Sequence, residues 1–181
     1  MKETDFVVPP ESRSRFAALY AVDLESGKLI DISQAPADYS KPPTLRSGGG
    51  GLVTTATDYA KFCQTLLNGG ELNSVRVAAA DTKLMGTNLL PDGVWLRDRN
   101  GKPQKGLGYG MSIGVLTDPV AQDSPQGAGT MTWGGAASTL FWVDPKNDLL
   151  FVWMEQRFGD PDEFGDEPRR LVYEALEHPE R

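Results

Sequence analysis

Cysteine and histidine are almost missing from these 181 residues, where Cys63 and His178 each stand alone. A lone cysteine cannot close an internal disulfide, so no oxidising compartment is implied. A lone histidine close to the last residue, where side chains are ordinarily solvated, leaves no Ser-His-Asp triad and no histidine metal cluster to be expected. Positive charge is scarce as well: 18 Lys and Arg against 25 Asp and Glu give a net charge of −7. That balance repels a phosphate backbone, so nucleic acid is not an expected partner. Long apolar runs are lacking too. The opening Met1 to Pro10 holds only Phe6-Val7-Val8, too short for a signal peptide or a membrane span, so no membrane partner is expected and the cytoplasm is the default location.

What is present resembles ordinary globular usage, with 39% hydrophobic and 24% charged residues, and the length favours one compact unit over residues 1–181. Phe16 to Val22 and Lys28 to Ile32 are β-compatible runs on either side of Glu25-Ser26-Gly27, whose glycine suits a turn needing positive φ, and together they predict a hairpin. From Ser33 to Arg46 prolines recur without periodicity, which predicts an irregular crossing. Ser47-Gly48-Gly49-Gly50-Gly51 reads as a permissive turn before a helix. In that helix Thr57 is the expected N-cap, Asp58 complements the dipole, and Tyr59, Phe62, Cys63, Leu66 and Leu67 form one apolar stripe, with a stop at Asn68-Gly69-Gly70. Cys63 is then a small buried hydrophobe rather than a nucleophile.

Asp81 to Met85 predicts a second, short helix, and Asn88 to Gln104 a polar stretch of turns. The last third changes period. Leu107 to Val115, Thr130 to Trp133, Thr139 to Val143 and Leu149 to Met154 predict four strands, the last two joined by a tight turn over Asp144 to Asp148. Their nearly continuous apolarity implies a sheet covered on both faces. Asp166-Glu167-Pro168 predicts a final helix, whose Leu171, Val172, Ala175 and Leu176 would pack on that sheet. The order of elements is that of an α+β fold with an antiparallel sheet and flanking helices.

Four ordered motifs carry a resemblance over nearly the whole chain: Gly48-Gly49-Gly50-Gly51-Leu52-Val53-Thr54-Thr55-Ala56-Thr57-Asp58-Tyr59, Leu66-Leu67-Asn68-Gly69-Gly70-Glu71-Leu72, Gly108-Tyr109-Gly110 and Trp133-Gly134-Gly135-Ala136. Together they resemble the carboxyl-terminal part of serine β-lactamase-related hydrolases, above all the family VIII carboxylesterases, which are relatives of class C β-lactamases and penicillin-binding proteins. The resemblance implies the carboxyl-terminal portion of the β-lactamase/transpeptidase-like fold and acyl-transfer chemistry on a small ester or lactam, with no cofactor or metal. It implies that Trp133, Gly134 and Gly135 form the pocket strand of the catalytic site and that the amide of Ala136 binds the substrate as an oxyanion donor. A tryptophan where other branches carry lysine favours esters.

The family's nucleophile has no counterpart in this sequence. The residues three before Lys28, Lys41, Lys61, Lys83, Lys102, Lys105 and Lys146 are Glu25, Asp38, Asp58, Ala80, Arg99, Lys102 and Val143, so no Ser-x-x-Lys exists. No tyrosine stands two before an asparagine, Ser47 lacks the glycine of a Gly-x-Ser-x-Gly elbow, and Tyr39-Ser40-Lys41 only echoes the tyrosine motif. The expectation is a partial domain, inactive by itself because the members of a catalytic unit act together. By the same resemblance, strands from both chain ends complete the family's sheet. Its partner would be the missing amino-terminal half or a second copy. The rival readings are a non-catalytic small-ligand module and a structural remnant.

Overall fold

A computed structural model describes residues 1–33, 38–78, 80–98, 100–158 and 166–176; His178 lies outside them. Helix α1, Ala56–Leu67, begins where the extended backbone of Thr55 lets its hydroxyl accept from the Asp58 amide at 3.2 Å. Thr55, not Thr57, is therefore the N-cap. The deciding feature is the pair three residues apart, because the Thr55 hydroxyl stands where the free Asp58 amide of the first turn can reach it. The Asp58 side chain is a buried clamp. Only 2% exposed, Asp58 accepts from the Glu3 amide at 2.7 Å and from Lys61 Nζ at 2.7 Å, which ties the first residues of the chain to the helix. The helix ends in a Schellman motif: Gly70 N–H donates to Thr65 at 2.7 Å and Gly69 N–H to Leu66 at 3.0 Å, with Gly69 at φ 63°.

Five strands form the main antiparallel sheet in the order β5, β6, β7, β8, β9: Leu107–Tyr109, Gly114–Leu116, Met131–Gly134, Thr139–Asp144 and Leu149–Met154. The run Leu107 to Val115, expected as one strand, is instead a hairpin. Ser112 sits at φ 63° and Gly110 N–H closes the turn on Ile113 O at 2.8 Å, so alternation of apolar and small residues concealed a reversal. A side chain at Gly110 would collide with the Met85 carbonyl, which accounts for glycine there.

The register places Met131, Val143 and Leu150 in one row and Thr132, Trp142 and Phe151 in the next, facing opposite ways. The first face packs on α1: Cys63, Leu66, Val115, Met131, Phe141 and Val143 make one buried cluster, with Tyr59, Phe62 and Leu67 against it. On the second face Trp142, fully buried, stacks on Phe151 with centroids 4.0 Å apart. Covering it is α2, Glu167–Glu174, through Tyr173, which is 2% exposed, and through Arg169, whose guanidinium lies 5.8 Å from the Trp142 ring centre. The expected stripe is thus rotated: Val172 is half-buried and Leu171 is 51% exposed. The cause is polar. Buried Asp144 accepts from Tyr173 OH at 2.6 Å, and the same carboxylate takes the Gly127 amide and Asn147 Nδ2, each at 2.8 Å. A buried carboxylate with several donors orients the helix more strongly than an exchange of one aliphatic contact for another.

The expected first hairpin is present as β1, Tyr20–Val22, and β2, Leu29–Asp31, with Gly27 at φ 68°. A two-residue strand, β10 (Arg157–Phe158), runs parallel to β1, and Tyr20 N–H donates to Gln156 O at 2.9 Å. Glu71–Leu72 and Val75–Arg76, β3 and β4, form a second small hairpin, while Pro10–Arg15 and Ala80–Leu84 are 3₁₀ turns. No helix among the described residues is long and apolar enough to cross a membrane.

Candidate functional site

Strand β7 enters the sheet buried and leaves it exposed. Met131 is 5% exposed, whereas Trp133 is 45% exposed and Gly134 and Ala136 lie on the surface. The strand then reverses within a few residues: Gly135 N–H donates to Thr139 O at 2.8 Å, and Ser138, at φ 60°, donates its amide to Gly135 O at 3.0 Å. From the other side β10 anchors the turn, because Ser138 Oγ donates to Arg157 O at 2.8 Å and Arg157 N–H to Ala137 O at 3.1 Å. Hydrogen bonds converging from both sides on one short turn leave its backbone little freedom, the condition a preorganised donor needs.

The two glycines are not equivalent. A side chain at Gly135 would collide with Thr139 Oγ1, while a Cβ at Gly134 would meet only Thr139 O, at 3.6 Å. Beyond them the backbone N–H of Ala136 has no acceptor among the described residues. Trp133 rests edge-on against Tyr109, with ring centres 5.4 Å apart. Tyr109 is held in turn where its amide donates to Asn88 Oδ1 at 3.0 Å. The motifs Gly108-Tyr109-Gly110 and Trp133-Gly134-Gly135 are therefore neighbours in space.

Beside this segment runs an open groove of about 470 Å³, whose wall includes Thr132, Gly134, Gly135, Ser138, Thr139 and Trp153. It lies on the sheet face away from α1. Trp133 pairs with Phe141, whose ring packs on Tyr59 of α1, so the pleat turns Trp133 away from that groove. Of the four residues singled out from the sequence, the structure brings Gly134 and Gly135 to the groove and leaves Trp133 and Ala136 on the surface outside it. Ser138, which shapes the turn, has no sequence signal, since a positive φ at a serine leaves none, and the strand pattern marks Thr139 only as the start of β8.

The other reactive side chains are accounted for structurally. Burial pushes the Cys63 thiol and the Tyr59 phenol each up to about 12, so neither ionises near neutrality. Burial and the bond to Asp144 likewise move Tyr173 upward. Tyr39-Ser40-Lys41 is a loop in which Ser40 and Lys41 are both engaged by Asp38, and Gly48 to Gly50 form an exposed turn.

The sequence profile of the family described as Beta-lactamase matches residues 1–175. The chain belongs to that family. Among curated relatives it is similar to Protein Rv1367c of Mycobacterium tuberculosis, at 33% identity over 165 residues that make up 88% of this chain and 41% of that protein. It is 30% identical over 124 residues to Esterase EstB of Burkholderia gladioli, covering 68% of this chain and 29% of the esterase. Solved structures agree on the fold. EstCE1, described as a hydrolase with promiscuous acyltransferase activity, superposes with a TM-score of 0.73 at 23% identity, over 94% of this chain and 46% of that one. Unliganded simvastatin synthase LovD of Aspergillus terreus, as its selenomethionyl derivative, gives 0.74 at 16% identity, over 97% and 46%. The chain thus spans less than half the length of these relatives.

Proposed function

We propose that this chain supplies one wall of an ester-hydrolysing acyl-transfer site whose serine and lysine lie on a segment that this sequence does not include. The observation that carries this reading is the exposed, hydrogen-bond-braced turn after β7, with the Ala136 amide presented beyond two glycines. An acyl carbonyl can approach bare backbone there, and the amide would stabilise the oxygen that becomes negative as a nucleophile attacks. Trp133 and Tyr109 border the approach with aromatic surface, which suits an ester carrying an apolar group rather than an anionic lactam. In this reading Trp133, Gly134 and Gly135 are catalytic-site residues through shape and Ala136 through its amide. No protein group in this chain acts as nucleophile, so the chain alone is inactive.

The test is complementation. A p-nitrophenyl ester is offered to the chain alone and to the chain mixed with an amino-terminal family fragment containing Ser-x-x-Lys. Turnover is expected only in the mixture, and background rates in every mixture that forms a complex would overturn the reading.

A further inference from the structure

We infer that the segment from Asn88 to Leu96 determines which esters the site accepts, with Asn88 as a positioning residue and Leu96 as part of an apolar seat for an aliphatic chain of the ester. This rests on the proposed ester chemistry and adds to it the residues that give selectivity. The segment carries no motif of its own, and its place beside the site is visible only in space. It runs along β5, where the Leu89 amide donates to Tyr109 O at 2.8 Å and the Leu96 amide to Leu107 O at 2.9 Å. Leu96 is pinned a second time, because its carbonyl accepts from the Gln104 amide at 2.8 Å.

Asn88 joins this segment to the aromatic pair. Its Oδ1 accepts from the Leu90 amide at 3.1 Å and from the Tyr109 amide at 3.0 Å. The side chain also fills the room that Gly108 leaves, since a Cβ there would collide with the Asn88 amide. One half-buried asparagine thus sets both the segment and the ring on which Trp133 rests. Gly114, which pairs with Tyr109 across the hairpin, completes the seat. A Cβ at Gly114 would stand 3.5 Å from Leu96 Cδ1 and 3.7 Å from Trp133 Cε3, so leucine and indole both overhang bare backbone. Leu96 and Tyr109 are only half-buried and Trp133 is 45% exposed. Three apolar side chains therefore converge on one spot and still face solvent, which favours an aliphatic occupant at about fourfold in affinity per buried methylene. Trp133 and Ala136 are three residues apart, at most about 10 Å of strand. A chain reaching the seat from a carbonyl held by the Ala136 amide is then longer than an acetyl or ethyl group.

The experiment uses the full chain mixed with the same amino-terminal fragment, and compares p-nitrophenyl acetate with the hexanoate and ethyl acetate with hexyl acetate. The longer member is expected to be preferred, and the series that shows the preference tells whether the acyl or the alcohol side lies in the seat. Leu96→Ala should cut that preference in kcat/KM about fivefold to tenfold, chiefly through KM. Asn88→Ala should also reduce it, while Asn88→Asp, which keeps the accepting oxygen, should restore it. A preference unchanged in Leu96→Ala, or variants that slow all four esters equally, would overturn the inference. A second measurement uses the labelled chain alone. There 2-octanone, an unreactive ketone with the same hexyl chain, should shift the Trp133 indole and the Leu96 methyl signals in NMR where acetone does not, and shifts confined to other residues would overturn the seat. Complexes that form without any turnover would sink the ester reading, and the ketone titration would still decide the seat.

Discussion

Strands β7 and β8 are hydrogen-bonded neighbours, yet they are built for different ends. Strand β8 runs from half-buried Thr139 to fully buried Val143 and Asp144, and each of its faces is covered by a helix. Strand β7 starts as deep, at Met131, and within four residues has come to the surface at Trp133 and Gly134. The same ladder thus supplies rigidity at one end and accessible backbone at the other. Burial without an open edge makes a core, and an open edge without burial cannot hold a donor still; the Trp133 to Ala136 segment combines the two because β8 and β10 fasten it from behind.

The largest test of this contrast is Trp142→Ala on β8. Removing a fully buried indole stacked on Phe151 should lower stability by about 3–5 kcal/mol in denaturant unfolding. Next is the pair Gly135→Ala and Gly134→Ala. The first forces a Cβ into Thr139 Oγ1 and should cost about 1–3 kcal/mol, whereas the second meets only ordinary contact and should cost less than about 1 kcal/mol. Equal losses would mean that the turn is not braced as described.

A third test concerns Asp58, whose hydrogen bonds from Lys61 and from the Glu3 amide lower its pKa from 3.8 to about 2. Since the folded-state pKa is depressed, its contribution is complete above pH 3.8 and is lost as pH falls towards 2. Acid unfolding followed by circular dichroism should show that loss in the native chain and a flatter profile between those values in Asp58→Asn. The smallest expected effect is that of Trp133→Ala, within about 0.5–1 kcal/mol despite the size of the deleted side chain, since Trp133 is 45% exposed and keeps one aromatic neighbour. A loss as large as that of Trp142→Ala would place Trp133 in the core and break the comparison.

Much of this was legible in the residues. The stripe from Tyr59 to Leu67 and the stop at Gly69 located α1, the turn at Asp144 to Asp148 joined β8 to β9, and the order of motifs led to the β-lactamase family, to which the chain belongs. Errors arose where local chemistry offered two equivalent choices. Thr55 and Thr57 are both good caps, and the start of the helix at Ala56, which puts the Asp58 amide on the Thr55 hydroxyl, selects the first. Leu171 and Tyr173 could each have faced the sheet, and Asp144, far away in sequence, decided between them. The reversal at Gly110 to Ser112 was hidden because alternating small and apolar residues suit one long strand as well as two short ones.

By itself, then, the sequence determined what depends on neighbours in the chain: helix periodicity, glycine stops, turn chemistry, the ordered family motifs, and the lack of any Ser-x-x-Lys. The tertiary structure alone decided which end of β7 is buried, that Tyr109 meets Trp133, and that a groove opens behind the two glycines. Those are relations between residues far apart along the chain. They follow from how sheet, helices and buried carboxylates satisfy one another in space, and no local window of sequence contains that condition.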